Sequence, residues 1–151
     1  MAWSIVDLAY LAGFVDGEGS IGINRSRGNS AHLGGSWAAH FNVAGTDAET
    51  IRWIADTFNG SFKTTPSENH YKDSHKCSWN YETGAELMPS LIPLLKTKQL
   101  QAQYYLDFVT NCTRILHGRS LPPHARKRAA RLAALCAAVA DHTSRYKGHS
   151  L

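Results

Sequence analysis

Four short segments in which apolar and polar residues alternate constrain the fold of this chain more than any other feature. The four segments are residues 20–24, 36–43, 61–65 and 76–82. Such alternation is typical of β-strands that bury one face. A polar loop, residues 25–35, joins the first two segments, and the polar residues 66–75 join the last two. Two hairpins separated by a helix predict one antiparallel sheet with helices on one face, an α+β fold.

The first helix carries recognisable start and stop signals. Ser4 is a good N-cap, and Asp7 stands three residues later in the capping-box position. Apolar residues at helical spacing follow, up to the run Asp-Gly-Glu-Gly at residues 16–19. We expect a glycine of this run to end the helix in the left-handed conformation.

Two further capping boxes predict the starts of the second and third helices. Thr46 is followed by Glu49, and Thr83 is followed by Glu86. In such a box the hydroxyl of the first residue accepts a bond from a backbone amide in the first turn of the helix. Both threonines are therefore expected to be N-caps.

The ends of these helices follow from Gly and Pro. Asn59-Gly60 ends the second helix, and Pro93 ends the short third one. The third, fourth and fifth helices are predicted over residues 84–91, 97–113 and about 124–145.

The two faces of the predicted sheet differ in chemistry. The apolar face carries Ile21, Ile23, Trp37, Ala39, Phe41, Val43, Phe62, Thr64, Cys77, Trp79 and Tyr81. The other face carries Ser20, Gly22, Asn24, Ser26, Ser36, Ala38, His40, Asn42, Ser61, Lys63, Thr65, Lys76, Ser78 and Asn80, with one carboxylate, Glu82, near its end. Amides, hydroxyls and lysines suit base edges and phosphates. A plain solvated face is the alternative.

Charge and composition narrow the class of protein. Hydrophobic residues make up 43% of the 151 residues, which excludes wholesale disorder and favours one domain. Residues 1–60 hold three basic and six acidic residues, whereas residues 61–151 hold thirteen basic and six acidic ones. A basic half favours a polyanionic partner, although a solvated face is the simpler reading.

The compartment and the relation to membranes follow from what the sequence lacks. No apolar run approaches the roughly 18 residues of a membrane span. The opening stretch has no Lys or Arg and contains an acid, so it does not read as a secretory signal. Three widely spaced cysteines argue against a disulfide framework and predict an intracellular reducing compartment: a bacterial or archaeal cytoplasm, or an organelle matrix.

The first helix carries the most specific motif. Residues 11–19 read LAGFVDGEG, which resembles the signature of the LAGLIDADG homing endonucleases. Arg52-Trp53 in the second helix and the segment 93–102, PLLKTKQLQA, are also similar to that family. The resemblance covers residues 3–110. It implies the α-β-β-α-β-β-α fold with a saddle-like sheet.

The chain beyond this resemblance is expected to form a basic helical extension. We predict an endonuclease core over residues 1–113 and an extension over residues 114–151 that packs on the same domain. The basic edge of the extension either flanks DNA phosphates or only keeps the protein soluble.

Small residues in the first helix predict self-association. Ala9, Ala12, Gly13 and Asp16 lie on neighbouring turns, and small residues at such spacings let two helix backbones approach closely. The sequence has one such helix, so its partner comes from a second copy. We therefore expect a two-fold symmetric homodimer.

In that dimer the two copies of Glu18 would lie side by side. Divalent cations would relieve the repulsion between the carboxylates, and oxygen ligands favour Mg²⁺, with Mn²⁺ or Ca²⁺ able to occupy the same sites. The resemblance implies that Glu18 and the carbonyl of Gly17 bind metal and that Lys98 lies near the scissile phosphate. A solvated Lys98 is the alternative, and Lys96 is a weaker candidate for a backbone contact. Asp16 is expected to bond to backbone rather than to metal.

One position departs from the family pattern. Related members usually have a polar residue, often Gln, just after the second strand, where this chain has Gly45. Either Asn42 or Thr46 substitutes for it, or the active-site water is less well held.

The expected partner is double-stranded DNA, read by the sheet in the major groove. The predicted DNA contacts are Asn24, Arg25, Arg27, Ser36, His40, Asn42, Lys63, Lys72, Lys76, Ser78 and Asn80. A symmetric dimer predicts a long, nearly palindromic target.

The sequence thus predicts a site-specific homing endonuclease that makes a double-strand break by metal-dependent phosphodiester hydrolysis. The first alternative is a non-catalytic relative that binds nucleic acid, either an RNA-splicing maturase or a transcription regulator. The second is a basic interaction domain with no relation to cleavage.

Overall fold

The computed structural model describes residues 3–26, 36–69, 71–112 and 123–147. The helices are α1 (Ile5–Glu18), α2 (Ala48–Phe58), α3 (Tyr81–Leu91), α4 (Gln99–Asn111) and α5 (Pro123–Lys147), and a short 3-10 turn covers Ile92–Leu94. The strands are β1 (Gly19–Ser26), β2 (Ser36–Gly45), β3 (Ser61–Thr65) and β4 (Ser74–Ser78). The strands form one sheet in the order β1-β2-β4-β3. The predicted α+β fold and its element order are confirmed.

Strand pairing places the polar and apolar residues on opposite faces. In the antiparallel pairs β2–β4 and β3–β4, Val43 and Phe62 both lie opposite Cys77. Val43 and Cys77 are buried. Neighbouring residues along a strand point to opposite faces, so the adjacent rows face away from this core. The predicted division of the sheet into two faces is therefore confirmed in these strands.

The described chain divides into two compact units. The first contains α1, the end of β2 from Phe41 onward, α2, β3, β4 and α3. Its core includes Phe41, which stacks on Trp79 with ring centroids 4.2 Å apart, and the Trp79 indole donates to the Phe58 carbonyl over 2.8 Å. Aromatic packing and a satisfied indole N–H stabilise this core.

The second unit contains most of β1, the start of β2, α4 and α5. Tyr105 and Phe108 of α4 are buried, as is Leu132 of α5. Arg128 of α5 bonds to the Asp107 carboxylate of α4 over 2.7 Å. The predicted helical extension therefore packs on α4, whereas the predicted boundary at residue 113 lies outside the described residues and stays a prediction.

The predicted N-cap of α2 is wrong by one residue. Asp47, not Thr46, precedes the helix, and its carboxylate accepts bonds from the Glu49 amide over 3.2 Å and from the Thr50 hydroxyl over 2.7 Å. The Thr50 hydroxyl bond lowers the pKa of Asp47. A carboxylate that reaches both groups replaces the predicted threonine.

The end of β4 and the start of α3 also differ from the prediction. The strand ends at Ser78 rather than at residue 82, and α3 begins at Tyr81. Asn80 is the N-cap, because its side-chain oxygen accepts a bond from the Thr83 amide over 2.8 Å. The predicted Thr83–Glu86 capping box is therefore wrong, and Asn80 lies beyond the strand on which the sequence placed it.

The three cysteines of the chain lie within the described residues. Cys77, Cys112 and Cys136 are all buried and free of disulfides. Burial raises the pKa of Cys77 to about 12 and that of Cys136 to about 11, so both remain thiols at neutral pH. None of the described helices combines the length and the apolar character that crossing a bilayer requires.

Candidate active site and nucleic-acid interface

Helix α1 runs directly into β1, and the two predicted metal-binding residues lie at this junction. Gly17 and Glu18 are both exposed in the last turn. The next residue, Gly19, has φ −88° and is extended, so the predicted left-handed glycine is wrong. A Cβ at Gly19 would lie 2.6 Å from the Val15 carbonyl oxygen, so glycine is needed here for a close approach rather than for an unusual backbone angle.

The Asp16 carboxylate binds three backbone amides from a distant part of the chain. One oxygen accepts a bond from the Lys96 amide over 2.7 Å, and the other accepts bonds from Thr97 and Lys98 over 3.1 and 3.0 Å. Hydrogen bonds to a carboxylate are stronger than those between neutral groups. The expectation that Asp16 bonds to backbone is confirmed, and the end of α1 is tied to residues 96–98.

The Lys98 side chain returns to the same turn of α1. Its ammonium donates to the backbone carbonyl of Asp16 over 2.7 Å. Carbonyls in the last turn of a helix have no partner within the helix, and a cation near this end is favoured by the helix dipole. Lys98 is half-buried, so this contact holds a positive charge at the end of the helix that presents Glu18.

Polar side chains lie in two rows of the sheet, one across β2, β4 and β3 and the other across β4 and β3. Asn42 and Ser61 both lie opposite Ser78 in one row, and Lys63 lies directly opposite Lys76 in the other. Both lysines are exposed, and among the described residues no carboxylate pairs with either. Like charges placed directly opposite each other destabilise a sheet. We call these five residues the polar rows.

A second polar group lies on β1 and the start of β2. The Asn24 amide nitrogen is 3.3 Å from His40 Nδ1. The His40 ring covers Gly22, where an added Cβ would lie 2.6 Å from the ring carbon Cε1. Glycine at position 22 therefore makes room for the imidazole, and Asn24 fixes its orientation.

Comparison with known families identifies the chain. The family model described as LAGLIDADG endonuclease matches residues 11–114, which is more than half of the sequence. This chain belongs to the LAGLIDADG endonuclease family. In a search of curated proteins none matched it.

Solved structures of LAGLIDADG homing endonucleases share the fold of this chain. The homing endonuclease I-CvuI, in complex with the I-CreI target and 2 mM Mg, matches with a TM-score of 0.71 at 17% identity over 97% of each chain. The archaeal intron-encoded I-Vdi141I, complexed with DNA, matches with a TM-score of 0.72 at 16% identity over 89% of this chain and 84% of that one. At these identities the likeness establishes the fold.

The LAGLIDADG helix of this chain offers oxygen donors for a hard cation. The Glu18 carboxylate is exposed, and the Gly17 carbonyl lies in the helix turn that lacks internal partners. Both are ligands that suit Mg²⁺ or Ca²⁺. Within the described ranges, no group of three or more His, Cys, Asp or Glu side chains is arranged to hold a metal ion.

The predicted contact residues on the LAGLIDADG helix differ in exposure. Ala9 and Gly13 are exposed, whereas Ala12 is only 2% exposed because its own chain covers it. Asp16 is half-buried by the bonds described above. Ile5, which was not among the predicted contacts, is 65% exposed at the start of the helix.

The remaining predicted DNA contacts are placed as follows. Lys72 is exposed in the segment between β3 and β4, and Asn80 is exposed but caps α3. Arg25 and Ser36 lie in β1 and β2, although their side chains are outside the description. Arg27 lies outside the described residues. Their roles in DNA binding stay predictions.

Two contacts of the LAGLIDADG chain were missed from the sequence. The bond between Lys98 and the Asp16 carbonyl joins residues 82 positions apart, and no local pattern signals it. The packing of His40 over Gly22 had one signal, since Gly22 interrupts a strand. Glycine inside a strand often marks a close approach by another group.

Proposed function

We propose that this protein is a homodimeric, Mg²⁺-dependent homing endonuclease that cuts both strands of a long, nearly palindromic DNA site. The observation that carries the proposal is the end of α1. The last turn holds an exposed carboxylate, Glu18, and its Asp16 carbonyl accepts a hydrogen bond from the Lys98 ammonium. Membership of the LAGLIDADG endonuclease family supports this function, as do similar structures solved as DNA complexes with Mg or Ca present.

Each charged group has a distinct role in the proposed reaction. Glu18 and the Gly17 carbonyl would hold the divalent ions, which supply an activated water and stabilise the charge on the phosphate when bound. Lys98 would neutralise the negative charge that develops on the phosphate oxygens. A carboxylate beside a polyanion is unfavourable without cations, so Glu18 has little use in a protein that only binds nucleic acid.

The exposed side of α1 supports the dimer. Ile5, Ala9, Gly13 and Gly17 follow one another at intervals of four residues, which places them on one side of the helix. A Cβ at Gly13 or Gly17 would meet no atom within 4 Å, so the space over this side is open. A second α1 packed here would cover Ile5 and bring the two copies of Glu18 together. Ala12 is left out of this contact because it is already buried.

The polar rows and the Asn24–His40 pair would bind the DNA. Amide, hydroxyl and imidazole groups can read base edges, and the two lysines can contact phosphates or guanines. Repetition of this surface in a symmetric dimer accounts for the palindromic target. Binding should weaken steeply with salt through counterion release.

The test is cleavage of a randomised duplex library in Mg²⁺. The wild type, Glu18→Gln and the control Glu86→Gln are compared, since Glu86 is an exposed glutamate on α3. The proposal expects double-strand breaks at a related set of sites with the wild type and the control, but not with Glu18→Gln. Sedimentation of the same wild-type sample should give the mass of a dimer.

Two outcomes would contradict the proposal. Specific binding without cuts in either Mg²⁺ or Mn²⁺ would indicate the non-catalytic nucleic-acid-binding protein instead. Cleavage by Glu18→Gln at the wild-type rate would exclude a role for the Glu18 carboxylate in the reaction.

A further inference from the structure

Asp16 contacts both ends of Lys98. The Asp16 carboxylate accepts a bond from the Lys98 backbone amide over 3.0 Å, and the Asp16 carbonyl accepts one from the Lys98 ammonium over 2.7 Å. Further amide bonds from Lys96 and Thr97 hold the residues just before Lys98. These four hydrogen bonds to Asp16 therefore fix both the backbone of Lys98 and the position of its ammonium.

The Asp16 carboxylate lies at the C-terminal end of α1. A negative charge near a helix C-terminus is disfavoured by the helix dipole. Three amide donors on the Asp16 carboxylate offset that cost, and all three belong to residues 96–98. These bonds leave the Asp16 carboxylate half-buried and occupied by backbone amides, whereas the Glu18 carboxylate is exposed and can bind metal.

We propose that Asp16 is a positioning residue that fixes Lys98 beside Glu18 for phosphodiester cleavage. The inference rests on the proposed function, because it assumes that Lys98 acts on the phosphate. A lysine side chain has four flexible carbons, so an unanchored ammonium would spread over many positions. Asp16 restricts both its backbone origin and its charged end.

The expected effect of Asp16→Asn is a loss of turnover without a loss of DNA binding. An Asn side chain would turn an N–H toward one of the three backbone amides and lose at least one bond. A displacement of about 1 Å in a reacting group can cost on the order of 100-fold in rate. We expect kcat to fall about 10-fold to 100-fold, while KM for DNA stays within about twofold of the wild type because no base or phosphate contact is removed.

A double-mutant cycle with Lys98→Met separates positioning from other roles. If Asp16 acts through Lys98, adding Asp16→Asn to Lys98→Met causes no further loss in kcat. Losses that multiply in the double variant would overturn the proposal, as would a kcat for Asp16→Asn equal to that of the wild type. The control is Asp56→Asn, which removes an exposed carboxylate from α2 and should leave kcat unchanged.

Amide hydrogen exchange on the full chain gives a second readout that needs no metal or DNA. Exchange at residues 96–98 should accelerate in Asp16→Asn and not in Asp56→Asn, and unchanged exchange would also overturn the proposal. Should Asp16→Asn unfold, Asp16→Glu keeps the carboxylate and should retain kcat to within about tenfold of the wild type. A wild type that cuts no DNA refutes the proposed function and this role together. A wild type that cuts, with multiplying losses in the cycle, refutes this role alone.

Discussion

The end of α1 and the polar rows of the sheet hold their charged groups in opposite ways. At the end of α1, Asp16 accepts four hydrogen bonds that tie Lys96, Thr97 and Lys98 to the helix. In the polar rows, Lys63 and Lys76 lie directly opposite each other, and no described carboxylate pairs with them. The chain thus fixes one set of charges by its own bonds and leaves the other set without a carboxylate partner among the described residues.

This difference matches the demands of cutting and of binding. Bond cleavage needs reacting groups held within fractions of an ångström, which requires support from the surrounding chain. Binding to a polyanion gains from lysines that have no internal partner, because each can replace a counterion on the phosphates. Under the proposed function, repulsion between Lys63 and Lys76 in the free protein is the cost of their affinity for DNA.

Removal of metal should separate the two regions most strongly. With EDTA, cleavage should fall by about 10³-fold or more, because bound ions contribute several kcal/mol to the transition state. DNA affinity should change by less than about tenfold, since the polar rows contain no metal ligand. Parallel cleavage and filter-binding assays measure both. Added Mg²⁺ should restore cutting, and cleavage that survives chelation would contradict a metal role for Glu18.

Removal of both lysines of the polar rows should have the reverse effect. In the proposed dimer, Lys63→Ala with Lys76→Ala removes four lysines, two from each subunit. The steepness of log affinity against log salt should therefore fall by about 3.6, or about 0.9 for each lost phosphate contact. Turnover at saturating DNA should stay unchanged, because the end of α1 is untouched. The matched control replaces both lysines with Arg, which keeps the charges. A double-alanine variant with an unchanged salt slope would exclude these lysines from phosphate contact.

The sequence predicted the elements of the fold better than the exact positions of the helix caps. The strands and helices were predictable because alternation and helical spacing are local, as in Val43 and Cys77 on the buried face. Cap positions were less predictable, since polar residues up to three positions apart compete for the cap. The Asp47 carboxylate accepts a bond from the Glu49 amide, so Asp47 is the N-cap instead of Thr46. The Asn80 side chain accepts a bond from the Thr83 amide, so Asn80 is the N-cap instead of Thr83.

The site was predictable only in part. Glu18 and Lys98 were predicted as site residues because they match motif positions. The sequence also predicted that Asp16 bonds to backbone, but not to which backbone, since its partners are at least 80 residues away. Ala12 has the small size expected of a helix contact, yet it faces the core of its own chain. Spacing along one helix does not reveal which side its neighbours cover.

The Asn24–His40 pair should affect which base is read rather than how tightly DNA binds. When Asn24 donates to His40 Nδ1, the ring proton lies on Nε2, so Asn24 selects one tautomer. Asn24→Ala should relax discrimination at one position of each half-site by about tenfold, within the roughly 1–3 kcal/mol of a good base contact. Sequencing of selected targets measures this. Ser90→Ala, which changes an exposed hydroxyl on α3 outside the proposed DNA surface, is the control. An unchanged target profile for Asn24→Ala would contradict the role proposed for the pair.

The smallest effect should appear in the free protein, as a gain in stability. Lys63→Gln removes the repulsion with Lys76, so the free energy of unfolding without DNA should rise by about 0.2–1 kcal/mol at low salt. The gain should shrink at high salt, where exposed charges are screened. Urea unfolding measures it, with Lys72→Gln as the control outside the strands. Because the repulsion belongs to the pair, the double variant Lys63→Gln with Lys76→Gln should be no more stable than either single variant. A double variant that gains twice the free energy of unfolding of a single variant would show that the two lysines do not interact.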